Sequence, residues 1–103
     1  MKIHHIGIVV NNIQESLGEF SKFVKFDEIT IPTLVGSQKV NVCFIKIGEL
    51  RIEFIEPISN ESPVKRALEE GGGFNHICFE VDNLFETINQ IVEKGGRLIV
   101  SPV

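Results

Sequence analysis

Two histidines in this sequence occupy matching positions and could bind a metal ion together. His5 begins the segment HIGIVVNN, and His76 begins the similar segment HICFEVDN, with a constant offset of 71 residues between the two. If both segments form strands related by an approximate twofold axis, we expect the two imidazole rings to face each other. The repeat therefore indicates a shared site rather than two unrelated surface histidines.

Glu53 is the third residue that could join such a site. In the segment LRIEF, strand alternation puts Ile52 and Phe54 on one face and Glu53 on the other. If the apolar face packs on helices, the carboxylate points to the concave side with the histidines. Two imidazoles and one carboxylate, without a thiolate, suit Zn, Ni, Co, Mn or Fe. A lone strand histidine or carboxylate is usually packed or solvated, so the repeat is what favours a metal site.

Other polar residues are weaker candidates for chemistry. His4 adjoins His5, so alternation predicts that it faces the other way as a surface histidine. Glu80 lies four residues after His76 on the same predicted face, and we expect a structural role for it. Five basic residues could hold an anionic part of a substrate, although scattered charges are usually solvated. They are Lys39, Lys46, Arg51, Lys65 and Arg66.

Composition excludes several classes of protein. The chain has 103 residues, 43% of them hydrophobic and 23% charged, which is ordinary for one globular domain. A net charge of −4 argues against a nucleic-acid partner. The sequence has no apolar run of membrane-spanning length and no signal-peptide pattern, so we expect a cytoplasmic protein that does not enter a membrane. Cys43 and Cys78 lie in apolar runs without zinc-motif spacing, and we expect buried free thiols.

Periodicity predicts a mixture of strands and helices. We expect strands over residues 3–10, 26–31, 40–47, 50–56, 74–81 and 97–100, with residues 32–38 as a loop. A first helix carries a stripe of apolar residues after a cap at Asn11 or Asn12. Two more helices are predicted over residues 63–70, with Ser62 as the cap, and over residues 84–94.

The repeat predicts one domain built from a duplicated module, because two copies are too few for a solenoid. We assign residues 1–103 to that domain, with module one at 1–57, a linker helix region at 58–73 and a partial module two at 74–103. A complete second copy would extend beyond Val103. We therefore expect either a longer natural chain or a partner subunit that covers the open sheet edge.

Three stretches carry a resemblance to a known family. The runs HHIGIVVNNIQESL, IGELRIEFIEPISNESPVKRALEEGGG and NHICFEVDNL resemble the vicinal oxygen chelate superfamily, also called the glyoxalase/bleomycin resistance/dioxygenase superfamily. This likeness implies an α+β fold in which paired βαβββ modules form a curled mixed sheet around a divalent metal. It also implies that His5, Glu53 and His76 are three of the metal ligands and that the protein is a homodimer. The fourth family ligand, a glutamate on the last strand, has no counterpart in this sequence.

The resemblance also implies a class of chemistry. Within the superfamily the likeness is greatest to the methylmalonyl-CoA epimerases, which move a proton next to a carbonyl through a metal-stabilised enolate. The expected substrate is then a CoA thioester. One alternative is a glyoxalase I-type lactoylglutathione lyase acting on a glutathione adduct. Another is a non-catalytic small-molecule-binding protein of the bleomycin-resistance type.

One departure from the epimerase pattern leaves the catalytic residue unassigned. Those enzymes resemble one another in a carboxylate that precedes the equivalent of Val40. Here no aspartate or glutamate occurs between Glu28 and Glu49. The sequence therefore supports a metal site more strongly than it supports a particular reaction.

Overall fold

Strands and helices follow one another largely in the predicted order. The computed structural model describes residues 1–99, which form six strands and three helices. Their bounds are β1 Lys2–Val9, α1 Ile13–Ser21, β2 Glu28–Ile29, β3 Thr33–Val35, β4 Val40–Ile47, β5 Leu50–Pro57, α2 Lys65–Glu69, β6 Gly73–Glu80 and α3 Leu84–Glu93. None of these helices has the length and apolar character needed to cross a membrane.

The six strands form one mixed sheet, which confirms the predicted α+β class. Along the sheet the order is β2, β4, β5, β1 and β6, and β3 also pairs with β4. β1 runs parallel to β5 and antiparallel to β6. The two duplicated strands, β1 and β6, are therefore direct neighbours in the sheet, although they are far apart in sequence.

The pairing of β1 with β6 has an approximate twofold symmetry that matches the sequence repeat. Ile6 pairs with Ile77 at the centre of the ladder. The pair of His5 with Cys78 corresponds to the pair of Gly7 with His76 when the 71-residue offset is applied to both strands. The ladder also has two register shifts, one between Ile3 and His5 and one between Gly7 and Ile8, and the same offset relates them to each other. The duplicated segments thus meet as the sequence predicted.

Alternation along β5 separates the two faces of the sheet. Ile52 and Phe54 are buried in a cluster with Ile13 of α1, and we call this side the helix face. Ile55 is buried on the other side in a second cluster. Glu53 shares that side, which we call the site face, so the prediction from alternation is confirmed.

Equivalent asparagines cap the two long helices. The Oδ1 of Asn12 accepts a hydrogen bond from the backbone N–H of Glu15 at 2.9 Å. The Oδ1 of Asn83 accepts one from Glu86 at 3.0 Å. Each cap satisfies a donor that the first helical turn leaves unpaired, and Asn12 rather than Asn11 has this role. The helices differ in packing, because α1 buries Ile13 whereas α3 buries no residue within the described chain.

The structure corrects the predicted strand over residues 26–31 and the predicted loop over residues 32–38. Ladder pairing in the first range is limited to Glu28–Ile29, and Thr33–Val35 forms β3 instead of a loop. Both short strands pair with β4. Pro32 lies between them and has no N–H to donate, so a continuous ladder cannot form there. The long-range pairing with β4 was not visible in the local sequence.

Two further boundaries differ from the prediction. α2 begins at Lys65 instead of Pro63, and Val64 rather than Ser62 is at its N-cap position. The buried Ser62 donates its hydroxyl hydrogen to the carbonyl oxygen of Gln38 instead. Residues 97–99 are not a strand, since they make no ladder pairing within the described chain. Val100, the last residue of that predicted strand, lies outside the described residues.

Candidate metal centre

The three predicted ligands meet on the site face of the sheet. The Nε2 atoms of His5 and His76 are 3.1 Å apart. The Oε1 atom of Glu53 lies 3.5 Å from Nε2 of His5 and 3.4 Å from Nε2 of His76. The three atoms therefore form a nearly equilateral triangle, contributed by three neighbouring strands.

The size of this triangle fits one first-row metal ion. Imidazole nitrogens and carboxylate oxygens bind such ions at about 2.0–2.2 Å. At tetrahedral or octahedral angles, two ligand atoms of the same ion are then about 3.0–3.5 Å apart. All three measured separations lie in this range. His5, Glu53 and His76 could bind one cation with little movement of the backbone.

A row of residues across four strands positions two of the ligands. Phe44 pairs with Glu53, Glu53 with Gly7, and Gly7 with His76. Gly7 has no side chain, so the ring of His76 can lie across β1 towards the carboxylate. A Cβ added at Gly7 would stand 2.3 Å from Cε1 of that ring, which is closer than real contacts allow. The glycine is thus a structural requirement for the site.

His5 reaches the same place from a position two residues before Gly7 on β1. Its ring contacts the rings of Phe44 and His76 edge to face, with centroid distances of 5.3 Å and 5.2 Å. Edge-to-face packing of this kind restricts the ring orientation. The Nε2 atom of His5 is therefore held towards the centre of the triangle.

Hydrogen bonds at the far sides of the rings favour free lone pairs inside the triangle. Nδ1 of His76 is 2.8 Å from Oδ1 of Asn75, an oxygen that can only accept, so this nitrogen donates its hydrogen. Nδ1 of His5 is 2.8 Å from Nδ1 of His4 and can donate to it in the same manner. In these tautomers both Nε2 atoms are unprotonated. Two nitrogen lone pairs and a carboxylate then converge on one point, as a cation requires.

Burial affects the charge of two of these groups. It raises the pKa of Glu53, an effect opposed by the nearby rings of His76 and His4. It also lowers the pKa of His5, and the adjacent His76 and His4 lower it further. A neutral imidazole is the form that binds metal, so the lowered pKa of His5 favours binding. A cation in the triangle would compensate the cost of burying the carboxylate.

A cleft of about 260 Å³ opens beside the triangle. Glu53 and His76 are the only titratable groups in its described lining, and Gln38 and Asn75 contribute side-chain amides. The rest of the lining is apolar and consists of Val35, Val40, Val42, Ile55 and Val64. A larger cavity of about 520 Å³ lies on the helix face between α1 and the sheet, away from the triangle. The smaller cleft is therefore the one that borders the candidate metal ligands Glu53 and His76.

His4 and Cys78 were misjudged by sequence reasoning. The β1–β6 ladder has a register shift between Ile3 and His5, so simple alternation fails there and His4 lies against His5. Cys78 is only half-buried and pairs with His5 across the ladder. Cys43 is buried as predicted, and its thiol donates to the carbonyl oxygen of Thr30. A strand bulge has no reliable local signal, so the orientation of His4 could not be predicted from the sequence.

The remaining polar candidates lie apart from the triangle. Glu80 is exposed and forms an ion pair with Lys2 at 3.8 Å, in keeping with the structural role expected of it. Lys39 pairs with Glu61 on the surface. Arg66 pairs with Glu70 one helical turn away. None of the five predicted basic residues lines the smaller cleft.

Comparison with known sequences identifies the family. A model of the glyoxalase/bleomycin resistance protein/dioxygenase superfamily matches residues 4–103. The chain is 27% identical over 100 residues to the mitochondrial methylmalonyl-CoA epimerase of Bos taurus, a match that covers 95% of this chain and 57% of the bovine protein. It is 33% identical over 99 residues to the uncharacterized protein YqjC of Bacillus subtilis, covering 95% of this chain and 70% of that protein. The chain thus spans little more than half of the bovine enzyme's length.

Comparison with solved structures agrees. The hypothetical protein BH1468 from Bacillus halodurans superposes with a TM-score of 0.88 at 34% identity, over 96% of this chain and 72% of that one. A Streptomyces coelicolor methylmalonyl-CoA epimerase, solved in complex with 2-nitronate-propionyl-CoA, superposes with a TM-score of 0.85 at 24% identity. That match covers 97% of this chain and 74% of the other, and it bears on the fold alone. From the family match and these similarities, the chain belongs to the glyoxalase/bleomycin resistance protein/dioxygenase superfamily.

Proposed function

We propose that His5, Glu53 and His76 bind a divalent cation and that the protein is a metal-dependent isomerase of a CoA thioester. The reaction would move a proton at the carbon next to the thioester carbonyl, as in the epimerisation of methylmalonyl-CoA. The triangle of ligand atoms, with edges of 3.1, 3.4 and 3.5 Å, is the observation that carries this proposal. The similarity to proteins named methylmalonyl-CoA epimerase supports the choice of substrate class.

A divalent cation bound there would act as a Lewis acid on a carbonyl oxygen and make the neighbouring C–H bond more acidic. The chain's own residues contribute the surroundings. Asn75 orients the ring of His76 through the hydrogen bond to Nδ1. The amides of Gln38 and Asn75 are available to bind oxygens of the acyl group, and the valines of the cleft would surround its small alkyl branch.

The proton acceptor is not assigned. Glu53 is the only carboxylate in the described lining of the cleft, and the proposal already uses it as a ligand. A ligand carboxylate bound to a cation is a weaker base than a free one. We therefore name no catalytic base among these residues.

The test combines metal binding with proton exchange. The purified protein would be loaded with Co²⁺ or Mn²⁺ and incubated with methylmalonyl-CoA in deuterated water, and deuterium at the acyl α-carbon would be measured. We expect exchange above the uncatalysed rate and loss of both exchange and metal binding in His76→Ala. The matched control is Glu80→Gln on the same strand, whose exposed carboxylate pairs with Lys2. A folded protein that binds no divalent metal would overturn the proposal.

One observation favours a second function, that of a non-catalytic binding protein. Within the described cleft, no carboxylate other than Glu53 is available to accept a proton. In that case calorimetry would detect binding of metal and of a CoA thioester, while deuterium exchange would stay at the uncatalysed rate. Turnover of a methylglyoxal–glutathione hemithioacetal would instead identify the lyase alternative. The oligomeric state, for which we propose a homodimer, can be measured by light scattering on the same samples.

A further inference from the structure

A second set of metal-binding groups lies on the other side of the His5 ring. One ring nitrogen of His4, one of His5 and the Sγ atom of Cys78 all lie within 4.8 Å of one another. The Nδ1 atoms of the two histidines are 2.8 Å apart. All three residues are half-buried, so the groups are neither fully solvated nor sealed in the core.

The local backbone explains why these groups converge. Cys78 faces His5 directly in the β1–β6 ladder, one step from the pair of Gly7 with His76. The register shift between Ile3 and His5 places one extra residue in β1 at this point. Such a bulge re-aims side chains, and here it brings the ring of His4 against that of His5. The repeat itself contributes the thiol, since Cys78 stands where module one has Gly7.

We propose that His4, His5 and Cys78 form a binding site for a thiophilic cation such as Cd²⁺ or Zn²⁺, and that a cation there excludes one from the triangle of His5, Glu53 and His76. The exclusion follows from the shared histidine. A neutral imidazole has one lone pair and one N–H, so His5 can bind a metal through Nδ1 or through Nε2 but not through both. Metal binding through Nδ1 would leave the N–H at Nε2, pointing into the triangle.

Ligand chemistry would decide which site a given metal occupies. The thiol of Cys78 binds as a thiolate, which prefers soft ions, whereas the carboxylate of Glu53 prefers hard ones. Mn²⁺ should therefore select the triangle and Cd²⁺ the His4–His5–Cys78 set. The exclusion rests on the proposed metal site in the triangle, but the thiolate site stands without it.

A crossed experiment with two metals and two variants tests this. The metal-free protein would be titrated with Cd²⁺ while the ultraviolet absorption of the cadmium–thiolate bond is followed, and separately with Mn²⁺ by calorimetry. We expect one Cd²⁺ per chain with a thiolate band. Cys78→Ser should remove the band and weaken Cd²⁺ binding by at least about tenfold while Mn²⁺ binding stays unchanged. His76→Ala should weaken Mn²⁺ binding while the thiolate band and the Cd²⁺ affinity stay unchanged. The buried Cys43 is present in every sample and serves as the internal control for the thiolate band.

The outcomes separate this inference from the proposed function. Cd²⁺ binding without a thiolate band, or with the same affinity in Cys78→Ser as in wild type, would overturn the inference. The proposed metal site in the triangle would not be affected by that result. A protein that binds Cd²⁺ through the thiolate but binds neither Mn²⁺ nor Co²⁺ in the triangle would overturn the proposed function and the exclusion, whereas the thiolate site would stand. Simultaneous binding of Cd²⁺ and Mn²⁺ would also overturn the exclusion. If Cys78→Ser does not fold, His4→Ala removes a different ligand of the same set: Cd²⁺ affinity should fall while the thiolate band is retained, and unchanged Cd²⁺ affinity would overturn the inference.

Discussion

The backbone of Gly7 lies directly opposite His76, and the imidazole ring occupies the space that any side chain at residue 7 would need. This contact lets a ligand from β6 reach across β1 to Glu53 on β5. The candidate site therefore depends on a residue that offers no ligand atom. Six variants, among them one matched control, test this arrangement and the packing that supports it.

Gly7→Ala is expected to weaken metal binding without unfolding the protein. The new Cβ would push the ring of His76 away from the triangle, and displaced supporting geometry typically costs about 10–100-fold in metal affinity. Calorimetric titration with Co²⁺ would measure the change.

Gly18→Ala is the matched control for this variant. Apart from its own helix backbone and chain neighbours, no atom of the described chain lies within 4 Å of the position of its added Cβ, and the residue is within α1. Metal affinity should be unchanged, and the free energy of unfolding should rise by about 0.5–1 kcal/mol because alanine favours the helix. Wild-type affinity in Gly7→Ala would contradict the positioning role.

Glu53→Gln should separate stability from metal binding. Burial raises the pKa of Glu53, so the native state holds the proton more tightly than the unfolded chain does. That contribution to stability is present below the ordinary carboxyl pKa of 4.5 and is lost as pH rises through the native-state value. The neutral glutamine avoids the loss, so at neutral pH the metal-free variant should be at least as stable as wild type. Metal affinity should fall by more than about 100-fold, since a ligand is lost.

Urea denaturation of metal-free samples, at neutral pH and near pH 4.5, would compare the two proteins. A variant that is less stable than wild type at neutral pH would show that Glu53 stabilises the fold through its contacts with the histidines. The site would then be a structural ion pair.

His5→Gln should flatten the acid side of the stability profile. The pKa of His5 is lowered by burial and by the neighbouring rings, so the unfolded chain binds its proton more readily. In the metal-free protein the corresponding stability is present above 6.5 and is lost as pH falls through the native-state pKa. Urea midpoints measured across this range in the presence of a chelator should change less with pH in the variant. An unchanged slope would contradict the role assigned to burial of this ring.

Asn12→Ala and Asn83→Ala compare the two equivalent helix caps. Loss of the Asn12 cap should cost about 1 kcal/mol, because α1 packs Ile13 into the buried core cluster and its fraying would be coupled to that packing. Loss of the Asn83 cap should cost less, since α3 buries no residue within the described chain. Urea denaturation followed by circular dichroism would measure both. Equal costs would mean that α3 is coupled to the global unfolding transition as strongly as α1.

The sequence by itself predicted the duplicated strands, a helix cap at Asn11 or Asn12, and the three groups of the candidate metal centre. These follow from patterns that covalent geometry imposes locally. Side chains alternate along a strand, so Glu53 must lie opposite Ile52 and Phe54, and a repeated segment repeats its local structure. His5 and His76 are therefore predicted at equivalent points of the duplicated strands.

Only the tertiary structure decided the remaining features. β3 exists because β4 offers an edge to residues after Pro32, and that edge comes from a later part of the chain. His4 joins His5 because a bulge interrupts the ladder with β6, which begins more than sixty residues later. The fit of the His76 ring over Gly7 likewise arises only when the two strands align. Each of these depends on register between distant segments, and register is decided by the packing of the whole sheet rather than by any local pattern.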